Sequence, residues 1–101
     1  MKYYIVAEVN VTDASWVPEY LAKVNRIVES YGGKYLARTS QLTLVEGDAK
    51  PHQTAIIMEF PSKEAAEGFY YSKEYKPQLD ARLKGSFGKL YFVAGEDAGK
   101  G

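Results

Sequence analysis

The side chains of residues 3–11, "YYIVAEVNV", fall into two alternating sets, of which one is wholly apolar or aromatic. Every second position from Tyr3 to Val11 is apolar or aromatic, whereas Glu8 and Asn10 occupy positions between them. Because successive side chains of a strand point to opposite faces of a sheet, this pattern predicts a β-strand with one wholly apolar face.

The apolar spacing then changes to three and four residues, which is typical of an amphipathic helix. Thr12, Asp13 and Ser15 favour a helix start, and Pro18 suits a first helical turn. The two glycines at 32–33 end the helix. Its predicted apolar face comprises Trp16, Val17, Tyr20, Leu21, Val24, Ile27, Val28 and Tyr31.

The rest of the chain predicts three more strands and two short helices. "KYLART" and "TAIIMEF" are strands, and "LTLVE" at 42–46 can add a further strand segment. Pro61 ends the strand "TAIIMEF". Ser62 and Ser72 can then each cap a short helix. The last strand is "GKLYFVAG".

This order of elements predicts an α+β fold of the ferredoxin-like βαββαβ kind, an antiparallel sheet with helices on one face. We expect one domain over residues 1–95 and a flexible tail over 96–101. The face without helices would expose Tyr4, Val6 and Ile57, and soluble monomers rarely expose such a patch. The sequence therefore predicts a homodimer that packs sheet against sheet and closes a dimeric α/β barrel.

Composition narrows the possible partners. Lys plus Arg equals Asp plus Glu at 13 each, so no net charge attracts nucleic acid or an anionic membrane. The chain has no cysteine, which excludes disulfides and thiolate metal ligands and favours a reducing compartment. The opening residues lack an apolar run long enough for a signal segment or a membrane span. We therefore expect a cytoplasmic protein without nucleic-acid or membrane partners.

Several short motifs together resemble the small bacterial domain-of-unknown-function family numbered 1330, over roughly residues 2–95. They are "VTD", "GGKYLAR", "VEGD" and "EFPSKEAAEGFYYSKEY", followed by Arg82. The resemblance implies the dimeric α/β-barrel superfamily, which also contains antibiotic-biosynthesis monooxygenases, muconolactone isomerases and haem-binding chlorite-dismutase-like proteins. The family has no agreed activity, so the resemblance implies a fold and a dimer only. The loop "DAKPHQT" departs from the family pattern, in which a Trp or a basic residue is usual.

Glu59 is a carboxylate inside an apolar strand, and strand parity places it on the face without helices, with Glu8 and Asn10. Arg38 could join them from the neighbouring strand, since a carboxylate there needs a partner. One interpretation makes Glu59 a catalytic base with a raised pKa, assisted by Arg38, with Glu8 and Asn10 as ligand-binding residues beside it. The other makes the group a structural ion pair.

A second candidate set follows the last helical region, where Ser72, Tyr75 and Arg82 recur at helical spacing. Arg82 could bind a carboxylate or enolate oxygen, with the Tyr75 hydroxyl as a further donor. Alternatively, Ser72 is a helix cap, Tyr75 is core and Arg82 neutralises a helix end.

The sequence indicates no metal site and no cofactor. His52 is the only histidine, and a lone histidine without cysteine does not make an ordinary metal site. Two functions remain open. The chain is a dimeric module that binds a small molecule in a pocket between sheet and helices, or it is a cofactor-free isomerase or monooxygenase-like enzyme acting on a small aromatic or carboxylated substrate.

Overall fold

A computed structural model describes residues 1–48 and 53–100 and shows a four-stranded sheet with three helices. The elements in chain order are β1 (Tyr3–Val11), a 3-10 turn (Ala14–Trp16), α1 (Val17–Ser30), β2 (Lys34–Thr39), β3 (Thr54–Phe60), α2 (Lys63–Tyr70), α3 (Lys76–Lys84), β4 (Ser86–Ala94) and a 3-10 turn (Ala98–Lys100).

The strands are all antiparallel and lie in the order β2-β3-β1-β4. The predicted α+β ferredoxin-like fold is therefore confirmed, with helices on one face of the sheet. The two central strands, β1 and β3, carry the most apolar sequences, as expected where a sheet is covered.

The core lies between the sheet and the helices. Ile5 from β1 and Phe60 from β3 are completely buried, together with Val24 and Val28 from α1. This is the face that the alternation of the first strand predicts. Leu21, predicted on the same buried face, is 49% exposed instead. It lies at the edge of the helix face and borders a cavity described below.

Local hydrogen bonds end and begin the helices where the sequence predicts. The Ser62 hydroxyl accepts from the Ala65 amide at 3.1 Å and caps α2. The Ser72 hydroxyl donates to the Phe69 carbonyl at 2.8 Å and accepts from the Tyr75 amide at 3.1 Å. Ser72 therefore separates α2 from α3.

Two segments differ from the prediction or extend it. Residues 42–46 form no strand, and the sheet gains no fifth member from them. Of the predicted tail, Ala98–Lys100 forms a 3-10 turn, in which the Asp97 carboxylate accepts from the Gly99 amide at 3.0 Å. The flexibility of this tail stays a prediction.

The helix-free face of the sheet is apolar at its centre. Cross-strand pairs place Val6 beside Ile57 and Tyr91, and Tyr4 beside Val93. Ile57, Tyr91 and Val93 are 36%, 56% and 42% exposed, so this surface is open to water in the single chain. Among the described helices, none combines the length and apolarity needed to cross a membrane.

Candidate functional site

A cavity of about 340 Å³ lies between the sheet and α1. Its floor is formed by the inward side chains of the two central strands, Val9, Val11, Thr54 and Ile56. Side chains of α1 cover it, namely Val17, Tyr20 and Leu21. The floor and cover are largely apolar, so they favour an apolar ligand body.

Arg82 brings a charge into this apolar cavity from α3. The residue is only 8% exposed, and no carboxylate among the described residues lies within ion-pair distance of it. Burial lowers the pKa of the guanidinium, but the neighbouring Tyr75 and Tyr20 side chains outweigh it and leave this pKa above its ordinary value. Arg82 is therefore a permanent cation whose neighbours are neutral hydroxyls.

Tyr20 and Tyr75 form a hydroxyl pair beside this cation. Their oxygens are 2.6 Å apart in the core, and either can donate. Burial raises the pKa of Tyr20 well above its ordinary value, and the neighbouring Tyr75 raises it further. One hydroxyl donates to the other, so the pair keeps a single O–H for a ligand, and the raised pKa of Tyr20 makes it a donor and not a base.

Arg38 is the second cation of the cavity lining. The pairing of β2 with β3 shifts register between Tyr35 and Ala37, which is a β-bulge. Beyond the bulge Arg38 pairs with Ile56, whose side chain packs on the core, so Arg38 lies on the helix-covered face. Its Nη1 donates to Asn25 Oδ1 at 2.9 Å, and its guanidinium carbon lies 3.8 Å from the centre of the Tyr35 ring.

Tyr35 lies within the influence of both cations. Burial raises its pKa, while Arg38 and, more weakly, Arg82 oppose the rise. Tyr35 lines the cavity with its ring held under Arg38. Because the net shift is upward, its hydroxyl stays neutral at ordinary pH.

Trp16 forms another wall of the cavity. Its indole Nε1 donates to the Gly85 carbonyl at 3.2 Å. A Cβ atom at Gly85 would lie 2.3 Å from Trp16 Cδ1, so the indole can occupy this place only because residue 85 has no side chain. Sequence reasoning missed both residues as parts of a site, since the contact joins residues 69 positions apart.

The predicted cluster of Glu8, Arg38 and Glu59 is not formed. Glu59 lies on the helix-free face as predicted, but its two carboxylate oxygens lie 3.4 Å from the ammonium groups of Lys2 and Lys34. Arg38 lies on the opposite face because the bulge reverses its side, which strand parity alone does not predict. A catalytic role for Glu59 stays a prediction.

The other predicted polar residues occupy different places. Glu8 pairs across the sheet with Lys89 and Ala55 on the helix-free face. The side-chain oxygen of Asn10 accepts a hydrogen bond from the backbone N–H of Gln53 at 2.8 Å. Neither residue borders the cavity, so their predicted ligand-binding roles have no common pocket with Arg82.

Of the predicted set Ser72, Tyr75 and Arg82, only Arg82 lines the cavity. Ser72 is the helix cap described above and does not border the cavity. Tyr75 is 2% exposed and does not line the cavity, and its hydroxyl is hydrogen-bonded to that of Tyr20, which does. His52 lies outside the described residues. Within those residues, no three His, Asp or Glu side chains are grouped to hold a metal ion.

Comparison with families and curated proteins gives one match. Residues 2–96 match the family described as Domain of unknown function (DUF1330), which agrees with the resemblance noted from the motifs. No protein of curated function matches the chain.

Solved structures of similar fold include proteins with and without a stated activity. RPA0582 of Rhodopseudomonas palustris, a protein of unknown function, has 16% identity and a TM-score of 0.75, over 95% of this chain and 83% of that one. SnoaB of Streptomyces nogalater, a cofactor-independent oxygenase, has 12% identity and a TM-score of 0.65. The match covers 99% of this chain and 98% of SnoaB. An antibiotic biosynthesis monooxygenase has 13% identity and a TM-score of 0.53. The match covers 96% of this chain and 100% of that protein. At these identities the likeness shows the fold alone.

Proposed function

Since the chain belongs to the family described as Domain of unknown function (DUF1330), we propose its function from its own cavity: it binds a small anionic molecule with a flat apolar body. The observation that carries the proposal is Arg82, a nearly buried cation in the cavity wall with no carboxylate partner among the described residues. A buried charge is costly unless it is paired. An anionic ligand would supply the missing charge.

The rest of the lining fits the body of such a ligand. The floor and cover are apolar, and Trp16 and Tyr35 add aromatic surface. A volume of about 340 Å³ lies at the small end of the range for ligand pockets, which suits a molecule of one or two rings. Tyr20, which lines the cavity and pairs with the Tyr75 hydroxyl, can add one hydroxyl donor.

Binding can be measured through Trp16, the only tryptophan, which lines the cavity. We expect benzoate to change its fluorescence and benzyl alcohol, of similar size without the charge, to have little effect. Arg82→Met should weaken benzoate binding by roughly tenfold to a hundredfold, because a charge-assisted hydrogen bond contributes about 1.5–3 kcal/mol. Arg26→Met, at an exposed arginine on α1 outside this cavity, is the matched control and should bind benzoate normally.

Circular dichroism separates this result from unfolding. If folded Arg82→Met binds benzoate as tightly as the parent, the anion site is misplaced. Equal binding of benzyl alcohol and benzoate by the parent would also contradict the proposal.

A second candidate function is cofactor-free oxygenation or isomerisation of such a ligand. It is favoured by the similarity of fold to SnoaB and by the donors around Arg82, which suit the oxygen of an enolate. Oxygen consumption with a set of phenols would test oxygenation, and exchange of solvent deuterium into enolisable acids would test isomerisation. Turnover that is lost in Arg82→Met but kept in Arg26→Met would support it, and binding without turnover would leave the first function.

The helix-free face supports a homodimer. Its apolar centre around Val6, Ile57 and Tyr91 is open to water in a single chain. Packing against a second copy would remove this apolar surface from water. Sedimentation of the parent should give twice the mass of one chain. Sedimentation of Ile57→Lys should give the mass of a single chain. Leu83→Lys, at an exposed leucine on α3, is the control and should stay dimeric. A monomeric parent at micromolar concentration would contradict the dimer.

The absence of cysteine supports a cytoplasmic location for the protein. Fractionation of the producing cells would test this. Recovery outside the cytoplasm would contradict it and would leave the cavity proposal unaffected.

A further inference from the structure

We propose that the ligand of the cavity carries two anionic groups, at opposite ends of its flat body, and that Arg38 binds the second one. This inference rests on the proposed anion site at Arg82 and extends it to the class of ligand. Aromatic dicarboxylates and hydroxylated aromatic acids that ionise twice belong to this class.

The cavity lining carries two positive charges and no negative one among the described residues. Arg38 and Arg82 are its only charged side chains in that part of the chain. Neither lies within ion-pair distance of an Asp or Glu there. Two like charges around a largely apolar space repel each other, and a ligand with two negative charges would neutralise both.

The β-bulge directs Arg38 to this cavity. Without the register shift between Tyr35 and Ala37, residue 38 would point to the helix-free face, where Glu59 lies. A bulge interrupts a ladder of hydrogen bonds, and such irregularities often redirect a side chain next to a functional site. Here its consequence is a second cation on the wall that already holds Arg82.

Arg38 is also held in place before a ligand arrives. The hydrogen bond to Asn25 and the stacking on Tyr35 restrict its guanidinium from two sides. Both partners are neutral, so its charge remains available. A restrained side chain loses less conformational freedom on binding than a mobile surface arginine.

The two cations are close enough for one small molecule. Both line the same cavity of about 340 Å³, and the Tyr35 ring in its wall is stacked under Arg38. A ligand with one ring and two opposed substituents can therefore contact both. Arg82 is nearly buried and Arg38 is exposed, so the ligand would place one anion inside and one towards solvent.

Terephthalate and 4-methylbenzoate test this directly, because they have similar size and differ in one carboxylate. We expect the parent protein to bind terephthalate about fivefold more tightly, the effect of about 1 kcal/mol for a partly exposed ion pair. Arg38→Met should remove this preference, so that terephthalate binding weakens about fivefold more than 4-methylbenzoate binding. Arg38→Lys should keep part of the preference, and Arg26→Met should keep all of it.

Each other outcome is decisive. If the parent binds 4-methylbenzoate but does not prefer terephthalate, the second anion site is wrong and the site at Arg82 stands. If folded Arg38→Met loses both ligands equally, Arg38 supports the structure of the cavity and is not a binding group for the second anion. If the parent binds neither ligand, nor benzoate, the proposed function itself fails.

Discussion

The hydroxyl oxygens of Tyr20 and Tyr75 lie 2.6 Å apart in the core and join α1 to the start of α3. Their rings also meet edge to face, with centres 6.0 Å apart. Tyr75 is 2% exposed and Tyr20 is 8% exposed, so water cannot readily replace either partner. The pair therefore fixes the position of the helix that carries Arg82.

Replacing either tyrosine by phenylalanine should destabilise the protein by about 1–3 kcal/mol, because the remaining hydroxyl is buried without this partner. The double variant should cost clearly less than the sum of the two single variants. Urea unfolding of the four proteins gives this coupling. Strict additivity would show that the two hydroxyls do not depend on each other.

Stability should fall as the pH rises above about 10, the ordinary pKa of tyrosine in the unfolded chain. Burial raises the pKa of Tyr20 and of Tyr35, so the folded protein keeps protons that the unfolded chain loses. This contribution is fully present below pH about 10 and is lost above it. Urea midpoints measured from pH 8 to 11 would show the decline.

Tyr20→Phe should have a shallower alkaline decline than the parent, because it lacks the buried hydroxyl whose pKa is raised. Tyr71→Phe is a suitable control, since that side chain is 72% exposed. An equal decline in the parent and in Tyr20→Phe would show that the Tyr20 hydroxyl does not cause it.

Glu59→Gln should cost no more than about 1 kcal/mol, because the lysines that pair with Glu59 are exposed and such pairs contribute little. The variant should bind benzoate like the parent, since Glu59 does not border the cavity. Thermal unfolding and the Trp16 titration measure the two effects. Loss of binding or turnover in a stable Glu59→Gln protein would restore the interpretation of Glu59 as a catalytic base.

Gly85→Ala should displace Trp16 from the cavity wall, because the new methyl group would occupy the place of the indole ring. We expect a changed tryptophan emission, weaker benzoate binding and a loss of about 1–3 kcal/mol of stability from overpacking. Gly99→Ala, near the end of the chain, should change none of these. Unchanged emission in Gly85→Ala would contradict the packing of the Trp16 indole against residue 85.

The sequence by itself determined the order of elements and the two faces of the unbroken strands. Alternation placed Ile5 in the core and Glu59 on the helix-free face, because a strand without irregularities keeps its parity along its whole length. Caps such as Ser62 and Ser72 were equally predictable, since they depend on residues within three positions.

Only the tertiary structure decided which polar residues meet. The bulge in β2 reversed the side of Arg38, and nothing in the residues "KYLART" marks it, because a bulge is defined by pairing with another strand. The burial of Arg82 among tyrosines and the packing of Trp16 against Gly85 likewise depend on contacts between residues far apart in the chain. Periodicity reports the face of one element, whereas a cavity depends on how several elements pack together.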